Sequence, residues 1–242
     1  MNIALLGHGR MGHEVEQQLL QRGQTVSAIV DNRQEWPQKE AAVSRCDVAI
    51  DFSMPSEVVD NIKRCFALSV PVVVGTTGWY DELPAIIEQC RKGGNALFVA
   101  SNFSIGMNIM FDLNRRLASL MNSLPAYDAT ITETHHIHKL DAPSGTAITL
   151  ANDIIERLDR KTSWQLAEGK GNPTPEALSI TSIREGEVPG IHEVVYDSDV
   201  DTIRIVHSAK SRKGLALGAV LAAEFLAGRK GYYTIQDMLN CL

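Results

Sequence analysis

The sequence predicts an α/β chain: a doubly wound parallel sheet, joined to a smaller α+β unit with an open mixed sheet. Two observations carry that expectation. From the start to about residue 100, short apolar runs alternate with helix-period segments, the pattern of strands buried on both faces by crossover helices. After Asn102 the rhythm changes to a long helix and then strands of mixed polarity, as in a sheet with one face covered.

The elements follow in order. "NIALLG" (Asn2 to Gly7) is a buried-strand pattern that ends in glycine. In "RMGHEVEQQLLQRG", Met11, Val15, Leu19 and Leu20 recur at helical spacing, and Gly23 is a stop. "TVSAIVD" and "DVAIDFS" are the next strands. "PSEVVDNIKRCFALS" is a helix with proline at its start. "VPVVVG" is a fourth strand, 80–92 a helix and "NALFVAS" a fifth strand. "SIGMNIMFDLNRRLASLMNSL" is the long helix, "YDATITETHH" a strand and 147–160 helical. "ALSITSIREG", "IHEVVYDS" and "DTIRIVHSAK" read as three strands, and "GLALGAVLAAEFLAG" as a closing helix. "AEGKGNPTPEA" (Ala167 to Ala177), rich in Gly and Pro, is the expected flexible loop. The expected domains are 1–104 with 210–242, and 105–209.

Composition narrows the function. An apolar fraction of 44% over 242 residues supports a substantial core. No run has the length of a membrane span, and "MNIALLGHG" lacks the basic region of a signal peptide, so a cytoplasmic location is expected. The four cysteines have no CxxC or zinc-finger spacing and read as free, mostly buried thiols. A net charge of −6 argues against a nucleic-acid partner but leaves room for a small anion at a local basic cluster.

"GHGRMG" has the G-x-G-x-x-G spacing: Gly7 for the tight turn, Gly9 for close approach of a pyrophosphate, Gly12 for helix–strand packing. It sits between a strand and a helix. Asp31 ends the next strand nineteen residues after Gly12, where a carboxylate binds ribose hydroxyls. The first unit is therefore expected to be Rossmann-type. "VGTTGW" and "ASNFS" end the fourth and fifth strands, on the ligand side of such a sheet. Gly75, Thr76 and Thr77 become candidates for the nicotinamide side, against ordinary turns as the bland reading.

The second motif is "ETHHIHKLDAPSGTA". His135, His136, His138 and Lys139 follow a strand, a turn carries Pro143, and Ser144, Gly145 and Thr146 open a helix. A lysine charge, imidazoles that titrate near neutrality and free helix N–H groups together suit an acidic substrate that needs proton transfer. A metal site is the rival, because His136 and His138 form a His-x-His pair with Glu133 and Asp141 nearby. Lys139 would repel the cation.

These motifs resemble those of the 4-hydroxy-tetrahydrodipicolinate (dihydrodipicolinate) reductases. "GHGRMG", "GTTGW" and above all the histidine–lysine loop carry the resemblance; "IREGEVPGIHEV" and "HSAKSRKGLALGAV" extend it over nearly the whole chain. The resemblance implies hydride transfer from NADH or NADPH to a small cyclic dicarboxylate, in lysine and diaminopimelate biosynthesis. It implies a homotetramer assembled through the second unit. His135 would donate or accept a proton and Lys139 would be a second donor. His136, Ser144, Gly145 and Thr146 would bind substrate. Gly7, His8, Gly9, Arg10, Met11, Gly12, Asp31, Gly75 to Thr77 and Ala100, Ser101, Asn102 and Phe103 would line the cofactor. No metal is implied. Two positions depart from the family's habit: Ser101 stands where proline is common, and Asn32 where an arginine often supports NADPH. Two alternatives are another nicotinamide-dependent reductase with the same first unit and a sensor that binds NAD(H) without turnover. A sensor has no use for a histidine–lysine acid pair beside an anion-binding helix.

Overall fold

In the computed structural model, residues 1–167 and 174–241 are described. The chain divides into two compact units, Met1–Ile105 with Arg212–Leu242, and Gly106–Ser211.

The first unit is built on a six-stranded parallel sheet. Its strands are β1 (Asn2–Leu6), β2 (Thr25–Val30), β3 (Val48–Asp51), β4 (Val72–Val74), β5 (Ala96–Val99) and β11 (Gly231–Tyr233). Their order is β11-β5-β4-β3-β1-β2, and every pairing is parallel. Strand alternation sends residues to two cores. Ile3 and Leu5 point to one, with α1 (Arg10–Gln21) and α7 (Lys213–Leu226). Ala4 and Leu6 point to the other, with α2 (Trp36–Val43), α3 (Val58–Ala67) and α4 (Leu83–Gly93). Because both faces are covered, these strands lack polar alternation. The order reverses at β1, which pairs with β2 on one side and β3 on the other. The crevice for a ligand therefore lies at the carboxyl ends of β1 and β3.

The second unit holds a five-stranded mixed sheet, in the order β10-β9-β6-β8-β7. These are β6 (Asp128–His135), β7 (Ser163–Leu166), β8 (Ala177–Arg184), β9 (Ile191–Asp197) and β10 (Thr202–Ser208). β6 pairs parallel with β8 and antiparallel with β9. Helices α5 (Ile105–Met121) and α6 (Gly145–Ile155) supply Met107, Met110, Leu150 and Ile154 to the core beneath one face. On the other face no described helix of this unit packs, and Ile183 and Val206 are exposed.

Several elements differ from the sequence expectation. α3 begins at Val58, not at Pro55, which occupies the preceding turn. Residues 80–82 form a 3-10 turn before α4 starts at Leu83. α6 runs Gly145–Ile155 rather than 147–160, because Ser144 caps it earlier. Four short elements carried too little periodicity to be anticipated: α2, whose buried residues are only Trp36 and Val43, the three-residue β11, the edge strand β7 and α8 (Ile235–Leu239). Of the expected loop at 167–177, residues 168–173 lie outside the described residues. No described helix is long and apolar enough to cross a membrane.

Candidate active site

The glycine turn between β1 and α1 is built from backbone. Gly7 has φ +84°, and a Cβ there would lie 2.5 Å from the Phe52 carbonyl oxygen. A Cβ on Gly12 would lie 2.5 Å from the Gly7 carbonyl oxygen, so only glycine lets the helix approach the strand this closely. Gly9, the N-cap of α1, has no side-chain cap, and nothing stands within 4 Å of where its Cβ would be. Two glycines are thus closed against protein and the middle one faces open space. Helix N–H groups without a cap beside that space fit a pyrophosphate.

Asp31 follows β2. Its Oδ1 accepts the His8 backbone N–H at 2.7 Å, which fixes the carboxylate beside the turn and leaves Oδ2 for another donor. The Asp31 N–H donates to Glu35 Oε2 at 3.1 Å, so a second carboxylate stands close by. Asn32 caps the following turn by accepting from the Gln34 N–H. Arg33 is turned toward Asp60, at 3.6 Å. The His8 side chain points to Glu16 at 2.8 Å, so only its backbone serves Asp31.

A cleft of about 320 Å³ is lined by Gly9, Arg10, Met11, Phe52, Ser53, Pro55, Gly75, Thr76 and Thr77. Phe52, Ser53 and Pro55 were not anticipated. Gly75 is required here, since a Cβ would penetrate the Phe52 ring. Thr76 is buried and donates its hydroxyl to Asp51 Oδ1 at 2.7 Å, while its carbonyl accepts from Trp79 Nε1. It frames the cleft and has no hydroxyl proton left to offer a ligand. Ala100 and Phe103 are buried in the core, and the polar edge of that segment is Ser101 and Asn102.

Asp51 anchors the floor. It is fully buried, and burial pushes its carboxyl up. Hydrogen bonds from the Ser53 N–H and hydroxyl, Thr76 and Asn61 oppose that rise. Asn61 in turn accepts from Trp36 Nε1 at 2.8 Å. One carboxylate therefore ties together the segments after β3 and β4 and helix α3.

In the second unit, side chains build the site. Glu133 and His135 lie two apart on β6 and so share a face. Glu133 is 0% exposed, and its Oε2 lies against Nδ1 of His135. A carboxylate only accepts, so this contact favours the tautomer with the hydrogen on Nδ1, which leaves Nε2 to face the site. A Cβ on Gly190 would come 3.0 Å from that Nε2; glycine keeps the edge uncrowded. Burial lowers the His135 pKa, Glu133 opposes, and Lys139 and Arg184 lower it further; the balance lies below the ordinary value. For Glu133, burial raises the carboxyl, but the Ser182 hydroxyl, Arg184 and His135 outweigh it and hold it below the usual range.

Arg184, at the end of β8, staples this loop. It donates to Glu133 Oε1 at 3.0 Å, to the Asp141 carbonyl at 2.6 Å and, through Nε, to the Lys139 carbonyl at 3.4 Å. Lys139 Nζ donates to both Asp141 carboxylate oxygens at 2.8 Å. Ser144 is buried and already engaged. Its N–H donates to Glu133 Oε1, and its hydroxyl accepts the Ala147 N–H and meets His192 Nε2 at 3.1 Å. Ser144 therefore frames the N-terminus of α6 and ties it to Glu133 and His192. The next N–H groups, of Gly145 and Thr146, have no partner among the described backbone hydrogen bonds, and nothing stands within 4 Å of a Cβ on Gly145. His192, packed edge-on against His135, is driven by burial to a pKa of about 4.

The rival metal set is not gathered. His138 pairs with Glu187, Asp141 with Lys139 and Glu133 with Arg184, while the His136 and His138 rings stand 5.9 Å apart.

Against this geometry stand the relatives. A family model described as the dihydrodipicolinate reductase N-terminus matches residues 1–103, and one described as its C-terminus matches 106–239. The chain belongs to the dihydrodipicolinate reductase family. A 4-hydroxy-tetrahydrodipicolinate reductase of Christiangramia forsetii is 46% identical over 242 residues, covering 100% of this chain and 99% of the relative. One from Akkermansia muciniphila is 37% identical over 240 residues, covering 96% and 94%. A dipicolinate-bound dihydrodipicolinate reductase from Paenisporosarcina sp. TG-14 shares the fold, with TM-score 0.73 over 97% of each chain at 22% identity. The family's enzymes are NAD(P)H-dependent reductases of lysine biosynthesis.

Within this reductase frame, sequence reasoning did not single out Asp51, Arg184, Gly190 or His192 for the site. Asp51 had a signal: a lone carboxylate closing the all-buried strand "VAID". Arg184 and His192 fall in "IREGEVPGIHEV", a stretch that carries the resemblance, but hydrophobic period does not bring them to the site; register does, by laying β8 and β9 beside β6.

Proposed function

We propose that this chain reduces 4-hydroxy-tetrahydrodipicolinate with NADH or NADPH, giving tetrahydrodipicolinate and water, as a cytoplasmic homotetramer. The observation that carries the residue assignments is the Glu133–His135 pair with Lys139 and the open N-terminus of α6 in one unit. Loss of the substrate's 4-hydroxyl, together with a proton from the adjoining ring carbon and so as water, leaves a conjugated imine between two carboxylates. A bound nicotinamide supplies a hydride, accepted at C4 of the ring. Negative charge then moves toward the ring nitrogen and C3, and the enamine needs a proton.

His135 moves that proton at Nε2. Glu133 fixes the tautomer and stabilises the imidazolium when it forms, and Arg184 holds Glu133 in place. The free site keeps His135 neutral; a dianion beside it raises its proton affinity, so the imidazole charges as substrate binds. Lys139 is the second cation. A substrate carboxylate competes with Asp141 for Nζ, and the N–H groups of Gly145 and Thr146 receive the other carboxylate, with His136 at the same loop. Gly7, Gly9 and Gly12 shape the pyrophosphate turn, Asp31 takes the ribose hydroxyls, and the cleft from Arg10 to Thr77 takes the nicotinamide half. Ser101 and Asn102 border it. The uncovered face of the β6–β10 sheet is the assembly surface.

The test is spectrophotometric. Nicotinamide absorbance should fall only when the fresh condensation product of aspartate semialdehyde and pyruvate is supplied. No loss with either cofactor rejects the reading. A monomer mass by light scattering at micromolar concentration rejects the tetramer.

A further inference from the structure

We propose that His8, His13 and Glu16 form a binding site for one divalent transition metal ion, zinc by the chemistry of its donors, at the root of the glycine turn. His8 lies in the turn itself, and His13 and Glu16 lie on the first turns of α1. One donor atom from each falls within 4.8 Å of the other two. His8 Nε2 already contacts Glu16 Oε2 at 2.8 Å, and the His8 and His13 rings stand 4.0 Å apart between centroids.

Two imidazoles and one carboxylate are a borderline-soft donor set that suits zinc, with water completing a tetrahedron. Bonds of 2.0–2.1 Å put tetrahedral donors about 3.3 Å apart, so the cluster needs only small side-chain shifts. The His8–Glu16 contact brings two ligands together before any ion arrives. His13 is exposed and the other two are half-buried, so an ion has an open route and room for a water. The His8 backbone N–H stays on Asp31. The side chain is thus free to ligate without dismantling the turn. A loaded site would cross-link the turn to α1 through side chains, one residue from Gly9.

His13 and Glu16 are not among the groups assigned to the reduction, and His8 serves there through its backbone N–H alone, so the fate of this site and the reductase assignment are separable. Titrate the tag-free protein with zinc chloride by calorimetry at neutral pH and follow thermal unfolding in parallel. The expected result is about one zinc ion per chain and a raised Tm. His13→Ala and Glu16→Gln should each weaken binding by about tenfold or more and abolish the Tm rise. Neither residue is buried, so both variants should match the wild-type Tm without metal, which verifies the fold. His138→Ala, which removes one member of the His136–His138 pair, should bind zinc as the wild type does. No uptake by the wild type, or uptake unaffected by His13→Ala, overturns the site.

Discussion

The two helix N-termini proposed to bind anions, those of α1 and α6, are built from different materials. At Gly9 the helix N-terminus has no side-chain cap, and the turn is shaped by glycines whose missing Cβ atoms leave room on one side and contact on the other. At Gly145 the helix is capped by buried Ser144, and the surroundings are charged side chains locked by Arg184 and Glu133. The difference follows from the ligands' tasks. A pyrophosphate must be held and is not changed, so fixed N–H dipoles suffice. A substrate that takes up a proton needs groups that can change charge, and those need a partner to set their tautomer and position.

The sharpest way to break the comparison is to disable proton transfer without touching the cofactor turn. His135→Gln should lower kcat by about 10²–10⁴-fold while leaving NADH affinity unchanged. Glu133→Gln should lower kcat less and shift the pH profile, because the amide no longer stabilises the imidazolium. Stopped-flow turnover alongside NADH fluorescence titration separates the two. A loss confined to NADH affinity would move His135 out of the chemistry.

The side-chain-built end also carries a stability cost in acid. His192 has a folded pKa of about 4, against about 6.5 when unfolded. The unfolded chain therefore binds more protons between these values. The contribution is complete above about pH 6.5 and is lost as pH falls toward 4, up to about 3 kcal/mol in all. His135 and His207, also lowered by burial, act with the same sign. Tm should fall steeply from pH 6.5 to 4.5, and His192→Gln should flatten that slope. Equal slopes in both proteins would mean that other groups govern the acid limit.

Lys139 tests whether charge or helix N–H groups dominate at the second site. Lys139→Ala removes a charge-assisted contact and should cost about 1.5–3 kcal/mol in binding a dicarboxylate inhibitor such as dipicolinate. NADH affinity should hold. Inhibitor affinity that also holds would assign the carboxylates to Gly145 and Thr146 alone.

Legibility in the sequence tracked the same division. The glycine turn was readable because each glycine answers a local steric demand, and its neighbours in sequence are its neighbours in space. The histidine–lysine loop was readable as a cluster, but its supports were not. Arg184 is 51 residues from Glu133 and reaches it only because β8 lies parallel to β6, which hydrophobic period does not specify. The place of Ser144 as the cap of α6 is legible in the sequence, but its contact with His192 from β9 is not. Thr76 was similar: its hydroxyl is consumed by Asp51, a residue whose burial only the sheet order reveals. Short elements such as α2 and β11 bury too few residues to leave a period.

The smallest expected effect concerns the backbone-built end, where side chains matter least. Asp31 is the one charged side chain whose position the turn fixes, through the His8 N–H. Its free oxygen suits ribose hydroxyls, and a 2′-phosphate would meet its charge together with that of Glu35, whose carboxylate receives the Asp31 N–H. Arg33 has turned to Asp60, and Asn32 carries no charge. Arg10, on the cleft wall, is the remaining nearby cation that could compensate. NADH should therefore be used better than NADPH by about tenfold, roughly 1.4 kcal/mol. Asp31→Ala should move the kcat/KM ratio toward NADPH, since it removes a hydroxyl acceptor and a repulsive charge together. Asp31→Ala with Arg10→Ala should reverse part of that shift if Arg10 serves the phosphate. A wild type that strongly prefers NADPH, or a ratio unmoved by Asp31→Ala, would mean that the turn selects its cofactor by backbone alone.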